Sequence, residues 1–311
     1  MSQNFQFALL ENGLDSIASA IEHLEDHSKR SLKRAVRDLW QGVELVLKER
    51  LHREHWSLVF EHLNKANVAD YKVGDFVSVS FDSCVERLRG VCGIQIAKAE
   101  VDELKRFQKM RNRLEHFGID VTYDAVVGSA GSGLDIVVEF IHNHLSPDEL
   151  DGEAAALMEE IAAGVLKLEA YIEQRMKKLE PELKAVKTIV MTCPTCSQDA
   201  LVIDGGAECL FCHYEAEGVE AAEDYVDRVL GVSFKERADL GLCPECDLNT
   251  VVDLENGGNQ YPATEYVCFN CGESWLEGSF TECSSCARLF YDDEDGVGVC
   301  SDCWDARLRN D

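Results

Sequence analysis

The chain has 311 residues, 46 % of them hydrophobic, and 30 Lys and Arg stand against 58 Asp and Glu for a formal net charge of −28. Those figures exclude a disordered chain and a collagen-like repeat, and they disfavour general coating of nucleic acid, because the mean field repels phosphate. The apolar runs are too short for a membrane span, and the N-terminal residues lack the basic and apolar regions of an export signal, so a cytosolic location is expected.

Helical spacing runs through most of the first part. Leu10, Leu14, Ile17, Ile21 and Leu24 step by three and four. Leu32, Val36, Leu39, Val43, Val46 and Leu47, with Trp40 beside them, mark a second helix. Trp56, Val59, Phe60 and Leu63 mark a shorter third. Residues 72–81 alternate in part, through Phe76, Val77, Val79 and Phe81, and read as a short strand or an extended loop. Asp82 is the expected N-cap of a helix reaching Leu88. Val101, Leu104, Phe107, Met110, Leu114 and Phe117 stripe the next helix.

The run from Gly128 to Gly133 has the look of a phosphate loop or a linker. It lacks the Gly-Lys-Ser/Thr ending of a P-loop, and no strand precedes it. Val126, Val127, Ala130, Leu134, Val137, Val138, Ile141 and Leu145 keep helical phase straight through it. The spacing therefore predicts one helix whose small residues let a neighbour approach closely, with a flexible loop as the alternative. Helix-interior glycines cost about 1 kcal/mol each, so packing must compensate. Pro147 should end this helix. Leu157, Ile161, Val165, Leu168, Ile172 and Leu179 predict another over 153–179, broken by Pro181. Residues 1–190 thus read as an all-α bundle with short connections.

Charge and cysteine both change near residue 190. Residues 1–190 hold 24 basic and 32 acidic side chains, net −8; residues 191–311 hold 6 and 26, net −20. Twelve of the 14 cysteines fall in the second part, leaving Cys84 and Cys92 as core or half-buried thiols of the first.

The helix over 101–117 is locally positive, with Lys105, Arg106, Lys109, Arg111 and Arg113 against Asp102, Glu103 and Glu115. Near its end, Asn112 and His116 are four apart and share a face, with Arg111 beside them. These groups suit RNA phosphodiester cleavage. An imidazole can take a proton from a 2′-hydroxyl or give one to the leaving 5′-oxygen. A guanidinium can hold the charge of the pentavalent phosphorus, and an amide can orient a phosphate oxygen. No metal is required, because RNA carries its own nucleophile. One imidazole does not easily serve as both acid and base, so a dimer supplying two copies would help. The plainer reading is that Arg111 and Glu115 form an i,i+4 salt bridge and that His116 caps a helix end.

Arg111-Asn112-x-x-x-His116-Phe117, late on a helix of an all-α bundle, resembles the motif of HEPN domains: Arg, usually a polar residue, then His within a short gap. The resemblance spans roughly residues 4–187. It implies a homodimer that places two motifs in a shared cleft and, in many members, a metal-independent endoribonuclease of toxin, anti-phage or RNA-processing systems. Carried over, His116 would be the acid or base, Arg111 the phosphate ligand and Asn112 an orienting group. Other members have lost activity and act as assembly modules.

The remaining histidines carry weaker signals. His52 and His55, like His142 and His144, lack metal-ligand spacing and read as surface or interface residues. His23 and His27 have i,i+4 spacing without a third ligand.

The second part contains six Cys-x-x-Cys pairs: Cys193/Cys196, Cys209/Cys212, Cys243/Cys246, Cys268/Cys271, Cys283/Cys286 and Cys300/Cys303. Taken consecutively they make three sets of four cysteines, each able to close a tetrahedron around zinc. Swapped pairing between sets is the alternative. A disulfide scaffold would need an oxidising compartment. Cys209-x-x-Cys212-His213 also matches a haem-attachment pattern, and His213 could stand in for a ligand, but four cysteines already suffice. All-cysteine sets leave no open position for water, so the zincs read as structural. Each adds a net charge of roughly −2 to an acidic region. Pro194 and Pro244 stiffen two knuckles; Gly205-Gly206, Gly257-Gly258 and Gly296/Gly298 fall where hairpins must turn, and the acidic run at 292–295 reads as a hairpin tip. Ala222, Tyr225, Val226, Val229 and Leu230 predict a helix within 218–231. These modules resemble zinc ribbons.

The expected organisation is a HEPN-like helical domain at 1–190, a zinc ribbon at 191–218, a helical spacer at 219–240, and further ribbons at 241–278 and 279–311. The expected partners are RNA at the helical domain, a second copy of the chain, and a protein at the acidic ribbons, with no membrane. The rivals are a non-enzymatic adaptor built on an inactive dimerisation domain and, third, a nucleic-acid-binding regulator that uses the ribbons.

Overall fold

The computed structural model describes residues 8–26, 28–117, 120–146, 150, 152–231, 240–254, 265–286, 288–291 and 298–308. It divides into two compact units, Met1–Lys177 and Lys178–Asp311. The first is a helical bundle and the second carries small antiparallel sheets with cysteine clusters.

Helices α1 (Leu9–Glu25) and α2 (Lys29–Glu54) form an antiparallel pair across a short turn. Asp26 and Ser28 make that turn: the Ser28 hydroxyl accepts from Ser31 N–H, and Asp26 accepts from the Ser31 hydroxyl at 2.6 Å. The predicted stripes of both helices are buried, and Trp40, 1 % exposed, is the centre of the core. Its ring lies 5.3 Å from that of Phe81 and 6.4 Å from that of Phe107.

After α2 the chain departs from the predicted third helix. Trp56–Val59 and Leu63–Lys65 are single 3-10 turns, followed by a short α3 (Val68–Val73). Tertiary bonds decide this segment: Arg87 donates to the carbonyls of Leu58, Phe60 and Glu61 and pins the loop in place. Gly74 turns left-handed at the end of α3, and residues 75–80 form no regular element beyond an isolated bridge between Phe60 and Ser78. Helix α4 (Phe81–Gly90) starts earlier than expected, with Ser80 rather than Asp82 as its N-cap residue.

Helix α5 (Lys98–His116) buries Leu104 and Phe107, but its predicted stripe ends early. Phe117 leaves the helix with φ −136° and is 76 % exposed, because helical phase no longer governs it. Helix α6 (Tyr123–His144) runs unbroken through the glycine run. It is the one described helix long and apolar enough to cross a bilayer, yet 56 % of its most apolar window is buried in the bundle. Its small residues have the expected use: a Cβ on Gly131 would lie 3.0 Å from the backbone of Ala170, so α8 passes against it.

The helix expected over 153–179 is two, α7 (Gly152–Val165) and α8 (Glu169–Ala185), separated by a turn in which Lys167 and Leu168 bond back to Gly164 and Val165. Pro181 does not break α8, which continues to Ala185. Arg175 of α8, 2 % exposed, reaches Asp135 of α6 at 3.0 Å and Glu139 at 3.4 Å. Apolar periodicity does not encode this ion cluster.

In the second unit, β1 (Val190–Thr192), β2 (Asp199–Ile203), β3 (Ala207–Cys209) and β4 (Glu215–Ala216) make one antiparallel sheet in chain order. Helix α9 (Gly218–Arg228) follows, as predicted. Strands β5 (Gly241–Leu242), β6 (Asn249–Asp253), β7 (Tyr266–Cys268) and β8 (Ser274–Trp275) repeat the first arrangement. Strands β9 (Phe280–Glu282) and β10 (Leu289–Tyr291) pair alone, and α10 (Ser301–Leu308) ends the described chain. The turn at Gly205-Gly206 lies between β2 and β3 as expected; the turns expected at Gly257-Gly258 and Gly296 and the acidic run at 292–295 lie outside the described residues.

The glycines of α6 give opposed expectations. Gly131→Ala should lower stability by about 1–3 kcal/mol through overpacking, whereas Gly128→Ala, which meets open space, should raise it by about 1 kcal/mol through helix propensity. Urea unfolding followed by helical circular dichroism measures both. Arg175→Met removes the cation that faces buried Asp135 and should cost about 3–5 kcal/mol, with Asp135→Asn added to it recovering part of the loss.

Candidate functional site

The cysteines assemble as the consecutive grouping predicts. Cys193, Cys196, Cys209 and Cys212 form one quartet, Cys243, Cys246, Cys268 and Cys271 a second, and Cys283, Cys286, Cys300 and Cys303 a third, with all sulfurs of each within 4.8 Å of one another. The sulfur separations Cys193–Cys212, Cys196–Cys209, Cys243–Cys271, Cys246–Cys268 and Cys286–Cys300 are each 3.7 Å. A tetrahedral ion with metal–sulfur bonds of about 2.3 Å needs sulfurs about 3.8 Å apart, so the quartets match that geometry. Neither swapped pairing nor His213 is used.

Local backbone explains why the knuckles form. After the second cysteine of four knuckles the chain turns left-handed, at Ser197 (φ 59°), His213 (φ 60°), Asp247 (φ 58°) and Gly272 (φ 76°). Each of these N–H groups bonds the carbonyl of the first cysteine at 2.8–3.0 Å. Sulfur also receives donors: Thr195 N–H and Cys271 N–H at 3.4 Å, Cys300 N–H at 3.3 Å, and the buried Thr250 hydroxyl lies 3.1 Å from Cys268 Sγ. Such donors favour thiolate over thiol.

The first two quartets share one body. Gly205 and Gly206 N–H both donate to the Asn270 carbonyl, at 2.8 and 3.0 Å, and Tyr225 of α9 packs on Phe269 at 4.8 Å. The third leans on the second through Phe280, which meets Tyr266 and Trp275 at 5.0 and 5.2 Å. Its ligands are the most open: Cys286 is exposed, while every ligand of the first two quartets is buried or half-buried.

In the helical unit, Arg111, Asn112 and His116 all lie on the last two turns of α5. Arg111 Nη1 donates to Asn112 Oδ1 at 2.9 Å, and its Nε lies 3.1 Å from Glu115. His116 Nε2 is 3.9 Å from the same Glu115 oxygen, and its side chain is 66 % exposed. The i,i+4 salt bridge of the plainer reading is therefore present, and it ties the two basic members of the motif to one carboxylate. That carboxylate also acts across the packed helices, where its charge reaches Arg37 of α2. Arg37 in turn holds Asp38 at 2.8 Å, and His23 of α1 lies 3.8 Å from the same Asp38. The hydrogen bond to Asp38 is the main cause that raises the Arg37 pKa above its ordinary value.

Sequence spacing does not reveal His23, Arg37 or Asp38 as neighbours of the motif, because more than one helix separates them along the chain. The i,i+4 partner proposed for His23, His27, lies outside the described residues. His52 faces Tyr71, its Nε2 2.5 Å from the phenol oxygen, and His55 caps the following turn through Ser57. His144 packs on Phe140 at 4.9 Å, and burial lowers its pKa. Cys84 is buried, which pushes its thiol up to about 12, as suits an inert core residue.

Compared with protein-family models, with curated proteins and with solved structures, the chain matches none.

Elemental analysis should find three tetrahedrally bound ions per chain, one per quartet. A chelator added stepwise should remove the ion of the Cys283 quartet first, since its ligands are the most exposed. Cys209→Ser should lower the count and unfold the first sheet.

Proposed function

We propose that the helical unit is an endoribonuclease of the HEPN type, and that three structural zinc ions hold the cysteine-rich unit together. The observation that carries the nuclease reading is the convergence of Arg111, Asn112 and His116 on one exposed helix end, joined through Glu115. The reaction asks for few groups. A base takes the proton of the 2′-hydroxyl, and the 2′-oxygen attacks phosphorus. The bond to the 5′-oxygen breaks, and that oxygen takes a proton from an acid. The products are a 2′,3′-cyclic phosphate and a 5′-hydroxyl. Arg111 is suited to the phosphate charge, Asn112 to orienting a phosphate oxygen, and His116 to proton transfer. A homodimer would bring a second His116, so that one imidazole acts as base and the other as acid. Phe117, exposed beside His116, offers a ring on which a base can stack.

The zinc assignment rests on the donor set. Four thiolates with sulfur edges of 3.7 Å favour a soft-tolerant tetrahedral ion and leave no position for a reacting water. The zincs therefore serve folding, and the acidic surface around them suits a protein partner rather than a phosphate backbone. Toxin or anti-phage action in the cytoplasm fits such a nuclease.

One observation favours a second reading. Arg111 already commits a hydrogen bond to Asn112 and an ion pair to Glu115, as a purely structural arginine would. In that case the helical unit is a dimerisation module and the chain an adaptor.

The deciding experiment is cleavage of single-stranded RNA by the zinc-loaded protein with chelator in excess of free metal. Wild type should leave cyclic phosphate ends, and His116→Ala and Arg111→Ala should each lower the rate by about 100-fold or more while keeping the helical spectrum. A wild-type protein as inert as both variants on total cellular RNA would favour the adaptor.

A further inference from the structure

Helix α2 opens with a run of cations that the nuclease reading does not use. Lys29, Arg30, Lys33, Arg34 and Arg37 all lie near its start. Arg30, Lys33, Arg34 and Arg37 stand at i, i+3, i+4 and i+7, so they form one ridge about 10 Å long. Arg30, Lys33 and Arg37 are exposed and Arg34 is half-buried.

Two features set this ridge apart from an ordinary solvated face. The chain carries nearly two carboxylates for every cation, and several of its other surface cations are tied to a carboxylate within a turn. Arg50 pairs with Glu54, Lys184 with Glu180 and Arg228 with Asp224. Among the described residues, Arg30, Lys33 and Arg34 have no carboxylate partner. The second feature is position. Trp40 of α2 lies beside Phe107 of α5, and Arg37 lies within reach of the Glu115 charge, so the two helices run antiparallel here. The ridge therefore continues past the C-terminal end of α5, where His116 is exposed. At the junction, the Asp38 side chain is only 12 % exposed and holds Arg37 through its Nε and Nη2, while half of the Arg37 side chain faces solvent. Nη1 makes no hydrogen bond among the described residues and is free for a phosphate oxygen.

We infer that Arg30, Lys33, Arg34 and Arg37 form a backbone track that holds the phosphates flanking the scissile bond of a single-stranded RNA. The choice of RNA rests on the nuclease reading, since the ridge begins at Arg37, which the charge of Glu115 beside that motif reaches. The track touches phosphate, so it adds affinity and register without reading bases. It also answers the charge problem: a protein of net −28 can hold RNA only where cations escape the average field.

The test uses the full-length, zinc-loaded protein and a fluorescein-labelled oligoribonucleotide carrying 2′-O-methyl groups throughout, which binds but offers no nucleophile. Fluorescence anisotropy gives Kd over a range of salt. Changing Arg30, Lys33 and Arg34 together to Gln should weaken binding about tenfold or more and reduce the slope of log Kd on log salt by about 2, near 0.7 for each phosphate no longer neutralised. Arg37→Gln should release one further phosphate, and Arg37→Lys should restore most of the slope. These residues lie on the surface, and helical circular dichroism confirms the fold of each variant. A folded triple variant with the wild-type Kd and slope overturns the track, even if wild type cleaves RNA. Ridge-dependent binding by a wild-type protein that never cleaves unmodified RNA would sink the nuclease reading and leave the track standing. Equal loss of affinity for a 2′-O-methyl strand and for an acidic peptide of similar charge would assign the ridge to a protein partner and overturn the RNA proposal.

Discussion

The close approach of α1 and α2 governs the helical unit. A Cβ on Gly42 would stand 2.5 Å from Ile17 Cγ1 and 3.0 Å from the Gly13 carbonyl, so the two helices touch backbone to backbone at that level. Seating α1 this tightly aims one face of α2 inward, where Leu39, Trp40, Val43, Val46 and Leu47 are almost wholly buried. The opposite face has no choice but solvent, and there the sequence places its cations. Gly164 repeats the device by meeting Ile21 of α1, and Gly131 does so against α8. Each close approach exchanges helix propensity for dispersion and burial, which is the more favourable term when backbones come this near.

The cysteine-rich unit obeys a different constraint. Its strands are two to five residues long, too short to bury a self-sufficient core. The thiolate quartets take that place, and the small hydrophobic clusters form around them: Val251, Tyr266 and Phe280 pack with the second quartet, Val299 with the third. A metal held by these quartets would make binding and folding one equilibrium. The burial of the ligands grades from the first quartet to the third, so the array is most secure where it joins α9 and least secure near its end.

The two units differ in electrostatics. The cysteine-rich unit is acidic before metal is counted, and four thiolates on a divalent ion would make it more so. The helical unit is nearer balance and concentrates its cations on α5 and the start of α2. Glu115 and Asp38 keep Arg111 and Arg37 oriented without cancelling the ridge that extends beyond them. A phosphate chain would thus meet a local cationic path inside a protein whose average field repels it, which favours a bound strand in one place and no binding elsewhere.

Much of this is legible in residue order. Cysteine spacing determined the three quartets, because a Cys-x-x-Cys knuckle is a local turn that aims both sulfurs before any tertiary contact forms. Period and phase determined α1, α2, α6 and α9, including passage through the glycine run of α6, because those helices each bury a continuous face. Tertiary structure alone decided the rest. The segment from Trp56 to Val79 follows the carbonyls that Arg87 binds rather than its own periodicity. The break between α7 and α8, and the passage of α8 through Pro181, are likewise not given by the apolar stripe. The grouping of His23, Arg37, Asp38 and Glu115 beside Arg111 and His116 joins three helices, and no local pattern encodes it. Sequence specifies what the backbone can settle within a turn or a helical face; which distant charges meet is settled only when the faces find their partners.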